Sequence, residues 1–337
     1  MNTSELYSLW LEKAVDDPDL IAELKGIEGN DDEIYDRFYR ELEFGTAGLR
    51  GVIGAGTNRM NIYTVRKATQ GLAEYVLDKG GESVAIAYDS RIKSTLFAEE
   101  AAKVLAANGI KVYIYKELMP TPMLSYAVRE LHCTSGIVIT ASHNPAKYNG
   151  YKAYGADGAQ LSVENSTKVL SFVDKVEMFG GAKTMSFDEG ITSGIIEYIG
   201  DELVEKYLET VKTRSVEKVT ADLKVIYTPL NGTGNKPVRE ILKRIGIKNV
   251  TVVPEQEFPD GNFPTAPFPN PEIRQAFECA INLSKSVEAD LLLATDPDCD
   301  RVGIAVKNGD DFTLMSGNEV GACLLDYILS RRKANGT

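Results

Sequence analysis

Residues 84–140 contain three short apolar runs, VAIAY at 84–88, KVYIY at 111–115 and GIVIT at 136–140. Two segments with apolar residues at helical spacing separate these runs. Apolar runs that alternate with helices typically form parallel strands covered by those helices. This stretch therefore predicts a parallel-rich sheet with helices on its faces.

A second unit of the same style follows. Its strand-like runs and helical patterns lie at 223–227, 237–246, 250–253, 272–286 and 290–294. Residues 301–307 and 311–315 then flank Asn308-Gly309, a dipeptide typical of two-residue hairpin turns. Residues 254–271 are proline-rich and predict a loop. The sequence therefore predicts an α/β protein of tandem three-layer αβα domains with mixed, mostly parallel sheets.

Further helices are predicted outside these two units. Apolar residues recur at helical spacing over 4–43 and 65–76, and another helical pattern opens at Gly317. We place the boundary between the two units at 200–215, where a charged helical stretch gives way to the first strand of the second unit.

The composition excludes several classes of protein. The chain has 337 residues, 43% of them hydrophobic, and a formal net charge of -12, which disfavours nucleic acid and anionic membranes as partners. It shows no signal-peptide pattern and no apolar run long enough to span a membrane. Its four cysteines form neither a CxxC pair nor a zinc spacing. We therefore expect a cytoplasmic protein with reduced thiols.

The sharpest motif is TASHNP at 140–145, followed by YNGYK at 148–152. It comes directly after a predicted strand, and ligands of α/β sheets collect at the carboxyl ends of strands. Ser142 is a candidate nucleophile, which needs activation at neutral pH, and His143 and Lys152 are near in sequence. An ordinary turn explains the same residues equally well, because Ser and Asn-Pro favour turns.

The second motif is DPDCDR at 296–301, which also follows an apolar strand. Asp296, Asp298 and Asp300 alternate in a tight loop, and a hard divalent cation with oxygen ligands would relieve their repulsion. An EF-hand is excluded, since Arg301 stands where that loop needs glycine. The pattern suits Mg²⁺ better than a closed Ca²⁺ cage. A solvated acidic turn is the alternative, but the apolar strand before it indicates a packed setting.

Two weaker signals come earlier in the chain. FGTAGLRG at 44–51 combines glycines, which let backbone N–H groups approach an anion, with Arg50 as a phosphate donor. Asp89 and Arg91 follow the run at 84–88, and we interpret them as an ordinary structural ion pair near the edge that carries Ser142.

Together these segments resemble the α-D-phosphohexomutase family, which includes phosphoglucomutases, phosphomannomutases and phosphopentomutases. TASHNP is similar to the family's active-serine loop and DPDCDR to its metal loop. FGTAGLRG, with the helical N-terminal extension, most resembles the longer phosphoglucomutase branch. The resemblance implies an intramolecular phosphotransferase that interconverts glucose 1-phosphate and glucose 6-phosphate.

The resemblance also implies residue roles. Ser142 carries the phosphoryl group, and its phosphate oxygen holds Mg²⁺ together with Asp296, Asp298 and Asp300. Glucose 1,6-bisphosphate is then the intermediate and activator, and a sugar phosphate is the expected partner. The oligomeric state is left open.

The remaining roles concern charge and proton transfer. Lys152 is the implied general acid/base, which requires that Arg50, Arg301 and Mg²⁺ lower its pKa. His143 assists proton transfer or contacts the phosphate. The residues assigned to phosphate binding are Arg50, Thr46, Arg301 and Asn144.

Family enzymes have four domains around one cleft. We assign 1–205 to domain 1, 206–312 to domain 2 and 313–337 to the start of domain 3, and we expect domain 4 to be absent. Without the phosphate-binding loop of domain 4, we expect an incomplete enzyme with low turnover, because binding energy from the non-reacting phosphate orients the sugar.

Two other functions are consistent with parts of the sequence. A strand followed by Asp-x-Asp is also typical of phosphatases of the haloacid dehalogenase type, with Asp296 as nucleophile, although this leaves TASHNP without a purpose. A phosphosugar-binding chain without catalytic competence is the other alternative.

Overall fold

The computed structural model describes residues 1–45, 48–217 and 222–335. These residues form two α/β units, each built around its own sheet, with helices packed on the sheet faces. The predicted fold class is confirmed. The first unit contains β1 (Gly48–Val52), β2 (Ser83–Tyr88), β3 (Lys111–Tyr115), β4 (Ser135–Ile139), β5 (Tyr148–Gly155) and β6 (Ile196–Ile199).

The sheet of the first unit has the strand order β1-β5-β4-β2-β3-β6. The predicted strands β2, β3 and β4 are parallel, and β6 continues them beside β3. The antiparallel strands β1 and β5 were not predicted. Glycine and polar residues interrupt both, so neither has the apolar run that marks a buried strand.

Helices cover both faces of this sheet. Val84 and Ile86 of β2 face one core with α4 (Ile62–Asp78) and α5 (Ser94–Ala107), whereas Ala85 and Ala87 face a second core with α6 (Thr121–Glu130) and α9 (Asp201–Lys212). Burial on both faces explains why the strands read as continuous apolar runs. The helices of this unit are α1 (Thr3–Lys13), α2 (Pro18–Gly26), α3 (Asp31–Phe38), α4 (Ile62–Asp78), α5 (Ser94–Ala107), α6 (Thr121–Glu130), α7 (Val163–Val173), α8 (Phe187–Thr192) and α9 (Asp201–Lys212).

The second unit has a sheet of five strands, which are β7 (Lys224–Thr228), β8 (Asn249–Val252), β9 (Leu291–Thr295), β10 (Val302–Asn308) and β11 (Asp311–Met315). Their order in the sheet is β11-β10-β9-β7-β8. Strands β7, β8 and β9 are parallel, and β10 and β11 form the predicted hairpin, in which Asn308 pairs with Asp311. The helices are α10 (Asn235–Ile245), α11 (Pro254–Glu257), α12 (Glu278–Leu283) and α13 (Gly317–Asn335).

Two predictions in this unit were wrong in detail. The helix predicted over 272–286 is a 3-10 turn, Arg274–Phe277, followed by the short α12. The predicted loop 254–271 begins with the one-turn helix α11, whose proline lies in its first turn, where proline is tolerated. The predicted domain limits at 205 and 312 fall inside α9 and β11, and the domain division stays a prediction.

The topology brings several strand ends together. Asp89, Ser142 and Asp296 follow β2, β4 and β9 at their carboxyl ends, and the first two strands are hydrogen-bonded neighbours. Within the described residues, no helix combines the length and apolar composition needed to cross a membrane.

Candidate active site

The serine loop, residues 140–148, presents Ser142 at the junction of the two units. Ser142 has a positive φ of 53°, an uncommon backbone state for serine, and is almost fully buried. Its amide donates to Thr140 Oγ1 at 2.8 Å. Its hydroxyl donates to Asp296 Oδ2 of the second unit at 3.0 Å and lies 3.2 Å from His143 Nδ1. The nucleophile candidate therefore directly contacts the acidic motif.

Strand β5 returns beside β4 and carries Lys152 to the same place. This close return needs glycine at Gly150, where a Cβ would lie 2.5 Å from the carbonyl oxygen of Thr140. Lys152 Nζ donates to Asp298 Oδ2 at 2.8 Å and to Asp300 Oδ2 at 3.3 Å. Three strands of two sheets thus converge on one cluster of charges.

The electrostatics of Lys152 differ from the expectation. Burial alone would lower the pKa of its ammonium, but the carboxylates of Asp298 and Asp300 outweigh burial and raise the pKa above its usual range. The lowering expected from Arg50, Arg301 and Mg²⁺ together is not seen without the cation, because the ammonium lies against two anions instead of against the guanidiniums, and the effect of Mg²⁺ stays a prediction. Lys152 is accordingly held in its protonated form.

The aspartate loop, residues 296–301, gathers three carboxylates whose oxygens lie within 4.8 Å of one another. Asp296 and Asp298 are fully buried. The backbone N–H groups of Asp300 and Arg301 donate to Asp296 Oδ1 at 3.2 and 3.0 Å. Burial and the neighbouring carboxylates of Asp298 and Asp300 nevertheless raise the pKa of Asp296 to about 9.

Asp298 shows what this cluster lacks. Its Oδ2 accepts from Lys152 and from Thr121 Oγ1, the latter at 2.9 Å, while its buried Oδ1 has no hydrogen-bond partner among the described residues. A buried carboxylate oxygen without a partner is costly. Three convergent carboxylates, one with an oxygen facing no donor, form a suitable donor set for a hard divalent cation.

The remaining predicted residues surround this cluster. Arg50 is exposed on β1 opposite Gly150, and its side chain forms no ion pair with a described residue. Arg301 is partly exposed, with Nη1 3.4 Å from Glu272 Oε1. The pKa of His143 is lowered by burial and by the charges of Arg301 and Arg50, which places both guanidiniums near the serine loop.

Two predicted phosphate contacts are less informative. Asn144 lies in the serine loop, where its backbone N–H donates to the carbonyl oxygen of Ala141 at 3.1 Å. Thr46 lies outside the described residues.

The structure adds Thr121 and a larger role for Arg91. Thr121 opens α6, and both its hydroxyl and its amide donate to Asp298, although no sequence signal pointed to it. Asp89 and Arg91 do form the predicted buried ion pair, at 3.3 Å, but Arg91 also donates to carbonyl oxygens of the serine loop. The only sequence signal for these additional contacts of Arg91 was its place shortly after the predicted buried strand β2.

Two family models match the chain. The model of phosphoglucomutase/phosphomannomutase α/β/α domain I matches residues 41–178, and that of α/β/α domain II matches residues 205–309. The chain belongs to the α-D-phosphohexomutase family. The serine loop of this family member lies within the first match and its aspartate loop within the second.

Two similar proteins support the same family assignment. A phosphoglucomutase of Staphylococcus saprophyticus is 41% identical over 286 residues, covering 84% of this chain and 52% of that protein. A phosphoglucomutase of Staphylococcus aureus strain N315 is 38% identical over 328 residues, covering 96% of this chain and 58% of that protein. This phosphohexomutase chain therefore spans about half the length of the curated relatives it matches.

A solved structure shares the fold. The crystal structure of a phosphoglucomutase/phosphomannomutase family protein from Burkholderia thailandensis superposes with a TM-score of 0.69 at 24% identity, covering 86% of this chain and 59% of that one. At this identity the likeness shows the fold of the phosphohexomutase units.

Proposed function

We propose that this chain carries the phosphoserine and the cation site of a phosphoglucomutase-type enzyme that interconverts glucose 1-phosphate and glucose 6-phosphate. The observation that carries the proposal is the hydrogen bond of 3.0 Å from Ser142 Oγ to Asp296 Oδ2, beside two further carboxylates. The similarity to phosphoglucomutases of Staphylococcus favours glucose phosphates as substrates. Mannose and pentose phosphates are the alternatives within the family.

The cation is part of the proposal. Asp296, Asp298 and Asp300 would hold Mg²⁺ together with a phosphate oxygen on Ser142. When bound, the cation neutralises charge on the phosphoryl oxygens during transfer.

The proposed step at Ser142 is a phosphoryl exchange. The bond from phosphorus to Ser142 Oγ breaks and a bond from phosphorus to the sugar hydroxyl oxygen forms, while the proton of that sugar hydroxyl ends on Ser142 Oγ and restores the serine hydroxyl. The product is glucose 1,6-bisphosphate, which reorients and returns its other phosphoryl group to Ser142. We assign Arg50, Arg301 and His143 to the approach to Ser142, because the charges of both guanidiniums act on the imidazole of His143 and guanidiniums suit the moving phosphoryl oxygens. Thr46 and Asn144 are kept as proposed phosphate contacts.

Lys152 fits the return step best. As an ammonium it can donate its proton to the sugar oxygen that departs when the phosphoryl group goes back to Ser142. It can accept a proton in the first step only after its pairs with Asp298 and Asp300 weaken, as they would once those carboxylates share a cation. The same side chain would then act as base and acid in turn.

A phosphatase with Asp296 as nucleophile gains no support. Both carboxyl oxygens of Asp296 already accept hydrogen bonds, Oδ1 from the backbone N–H groups of Asp300 and Arg301 and Oδ2 from the hydroxyl of Ser142. Neither oxygen is therefore free to attack a phosphorus atom, and the serine loop would have no role in such an enzyme.

A second candidate is that the chain accepts a phosphoryl group at Ser142 and binds phosphosugars without steady turnover. The two matched domains, I and II, include the serine loop and the aspartate loop that such a step needs. We also propose a cytoplasmic location. All four cysteines are free thiols, and the reducing cytoplasm keeps thiols in that state.

The test follows the protein's mass and product formation together. The chain is incubated with Mg²⁺, glucose 1-phosphate and a trace of glucose 1,6-bisphosphate, and glucose 6-phosphate is coupled to a dehydrogenase. We expect one added phosphoryl group, stable to hydroxylamine, that maps to Ser142 and is lost in Ser142→Ala but not in the exposed control Ser171→Ala. Steady glucose 6-phosphate production would support the full activity. A phosphoryl group without turnover would support the second candidate, and a hydroxylamine-labile phosphate would contradict both.

A further inference from the structure

Arg91 is a buried cation that the proposed chemistry does not use. Its side chain is fully enclosed, so it cannot contact a substrate. Its guanidinium donates instead to carbonyl oxygens of the serine loop. The acceptors are Ser142, Asn144 at 2.6 Å, Pro145 at 3.1 Å and Tyr148 at 3.1 Å. A planar guanidinium has five N–H donors in a fixed fork, and no other side chain could serve these acceptors together.

The amide side of Ser142 is held through the same ion pair. Asp89 Oδ2, which lies 3.3 Å from Arg91 Nε, accepts from Thr140 Oγ1 at 2.7 Å. Thr140 Oγ1 in turn accepts from the amide of Ser142 at 2.8 Å. Both backbone groups of Ser142 are therefore anchored to the Asp89–Arg91 pair. Such anchoring is needed, because a positive φ in a residue other than glycine is a strained backbone state that persists only where its surroundings hold it.

Arg91 also contacts the second unit. Its guanidinium carbon lies 5.0 Å from the ring centroid of Phe263, which is buried. The segment that carries Phe263 packs tightly on the Arg91 segment, since a Cβ on Gly261 would lie 2.6 Å from the amide nitrogen of Ile92 and 2.8 Å from the carbonyl oxygen of Ser90. The stacked contact therefore lies at the junction of the two units.

Hydrogen bonds lead from Phe263 to the aspartate loop. The amide of Phe263 donates to the carbonyl of Asp260, and the amide of Asp260 donates to the carbonyl of Asn231 at 3.3 Å. Two residues on, the amide of Thr233 donates to the carbonyl of Pro297 at 2.8 Å. Arg91 is thus connected to the serine loop on one side and to the aspartate loop on the other.

We propose that Arg91 is a positioning residue, which fixes the backbone of Ser142 and, through the ring of Phe263, aligns the serine loop with the aspartate loop. The inference rests on the proposed function, because alignment of the two loops serves phosphoryl transfer at Ser142. Its structural consequence, the order of residues 140–148, is measurable without any chemistry.

The test compares Arg91→Lys with a matched control, Arg59→Lys. Arg59 is a buried arginine of the same unit that donates to the carbonyl of Asn58 at 3.0 Å and pairs with Asp36. Lysine keeps the charge in both variants but loses the fork. Hydrogen–deuterium exchange is followed in peptides covering 140–150, and the rate of Ser142 phosphorylation by glucose 1,6-bisphosphate is followed by intact mass.

We expect Arg91→Lys to speed exchange across 140–150 about tenfold, since amide protection reports local opening. We expect its phosphorylation rate to fall about 100-fold, because a misplacement near 1 Å costs about that much. Arg59→Lys should leave both quantities as in the parent chain. Phe263→Leu, which keeps apolar packing without the aromatic face, should change both in the same direction by about threefold, as expected for one lost cation–π contact of about 0.5–1 kcal/mol.

The two proposals fail separately. If the parent chain is never phosphorylated, the proposed function fails, and the exchange data still decide the positioning of the loop by Arg91. If Arg91→Lys exchanges like the parent over 140–150, or if Arg59→Lys exchanges as fast as Arg91→Lys there, the positioning role is overturned whatever the phosphorylation rate.

Discussion

The serine loop and the aspartate loop both leave the carboxyl end of a buried strand, but they are held in opposite ways. In the serine loop, carbonyl oxygens accept from the buried guanidinium of Arg91, whose charge Asp89 balances within the same unit. In the aspartate loop, backbone N–H groups donate to the carboxylate of Asp296, and the nearest cation, Lys152, belongs to the other unit. The first loop is held by a charge-balanced ion pair of its own unit, whereas the second carries excess negative charge.

The two loops therefore differ in what stabilises them: the serine loop depends on backbone hydrogen bonds, and the aspartate loop depends on how its negative charge is compensated. The aspartate loop holds three carboxylates, and its imbalance appears as the raised pKa of Asp296 and the buried Asp298 Oδ1 without a hydrogen-bond partner in the described residues. The excess charge can be met by a proton or by a cation. The serine loop, in contrast, needs nothing more than its own ion pair. Variants that neutralise one loop or disconnect the other should therefore behave differently.

The largest effect is expected at Asp296. Asp296→Asn keeps the size of the side chain. It replaces a carboxyl group whose pKa is raised, so that without a cation it is protonated near neutral pH, with a neutral amide. Without added cation, the melting temperature should stay the same or rise. The affinity for Mg²⁺ should fall by at least about 100-fold, as expected when a ligand is removed. The measurement is the rise in melting temperature with Mg²⁺ concentration.

The control for this prediction is Asp310→Asn, an exposed acid in the hairpin turn. It should keep the parent's response to Mg²⁺. A full Mg²⁺-induced rise in Asp296→Asn would show that the aspartate loop is not the cation site.

The next effect concerns the serine loop. Thr140→Val keeps the shape of the side chain but removes the hydroxyl that links Asp89 to the amide of Ser142. Because a buried carboxylate and a buried amide each lose a partner, the free energy of unfolding should fall by about 2 kcal/mol. Urea unfolding measures this.

The matched control is Thr167→Val on α7, an exposed threonine whose hydroxyl donates to the carbonyl of Val163. Its effect should stay within about 0.5 kcal/mol. Equal losses in the two variants would mean that the Thr140 hydroxyl has no special role in the loop.

The same comparison explains what the sequence could predict. The strands before both loops are apolar runs of β-forming residues, so β2, β3, β4, β7 and β9 were predicted from local pattern. The loops were found because chemical side chains follow those strands directly. Strands β1 and β5 were not predicted, because Gly48, Gly150 and several polar residues leave them without an apolar run. They form strands because β1 pairs with β5 and β5 pairs with β4 through backbone hydrogen bonds.

Contacts across the two units could not be predicted. Thr121 meets Asp298 across 177 residues of sequence and Lys152 meets it across 146, and nothing local encodes either pairing. The pairing of Lys152 with Asp298 and Asp300, which raises its pKa in the absence of a cation, was therefore not predicted. The sequence indicated which cations lie near the loops, but tertiary packing decides which anions they contact.

A third prediction tests the exposed rim of the serine loop. Arg50→Lys should slow Ser142 phosphorylation by about tenfold, because lysine lacks the bidentate fork that matches phosphate. Arg50 forms no ion pair with a described residue, so the free energy of unfolding should change by less than about 0.5 kcal/mol. The exposed arginine Arg40, which donates to Asn58 Oδ1, gives the control Arg40→Lys with no effect on either quantity. An unchanged phosphorylation rate in Arg50→Lys would remove Arg50 from the proposed site.

The smallest effect is a dependence of stability on pH that belongs to the aspartate loop alone. Asp296 has a pKa of about 9 in the folded chain and about 3.9 when unfolded, so the folded state binds the extra proton between these values. Without added cation, its contribution to stability is complete below the lower value and is lost as pH rises toward 9, by at most about 1.4 kcal/mol per pH unit. Asp298 and Lys152 do not act in this window, because the pKa of Asp298 is lowered and that of Lys152 is raised above its ordinary alkaline value.

Urea unfolding between pH 7 and pH 9 should therefore show a decline in the free energy of unfolding of the parent relative to Asp296→Asn. Saturating Mg²⁺ should remove that decline, since the cation replaces the proton, and equal pH profiles for parent and variant without Mg²⁺ would mean that Asp296 is ionised and that the loop's charge is balanced in another way.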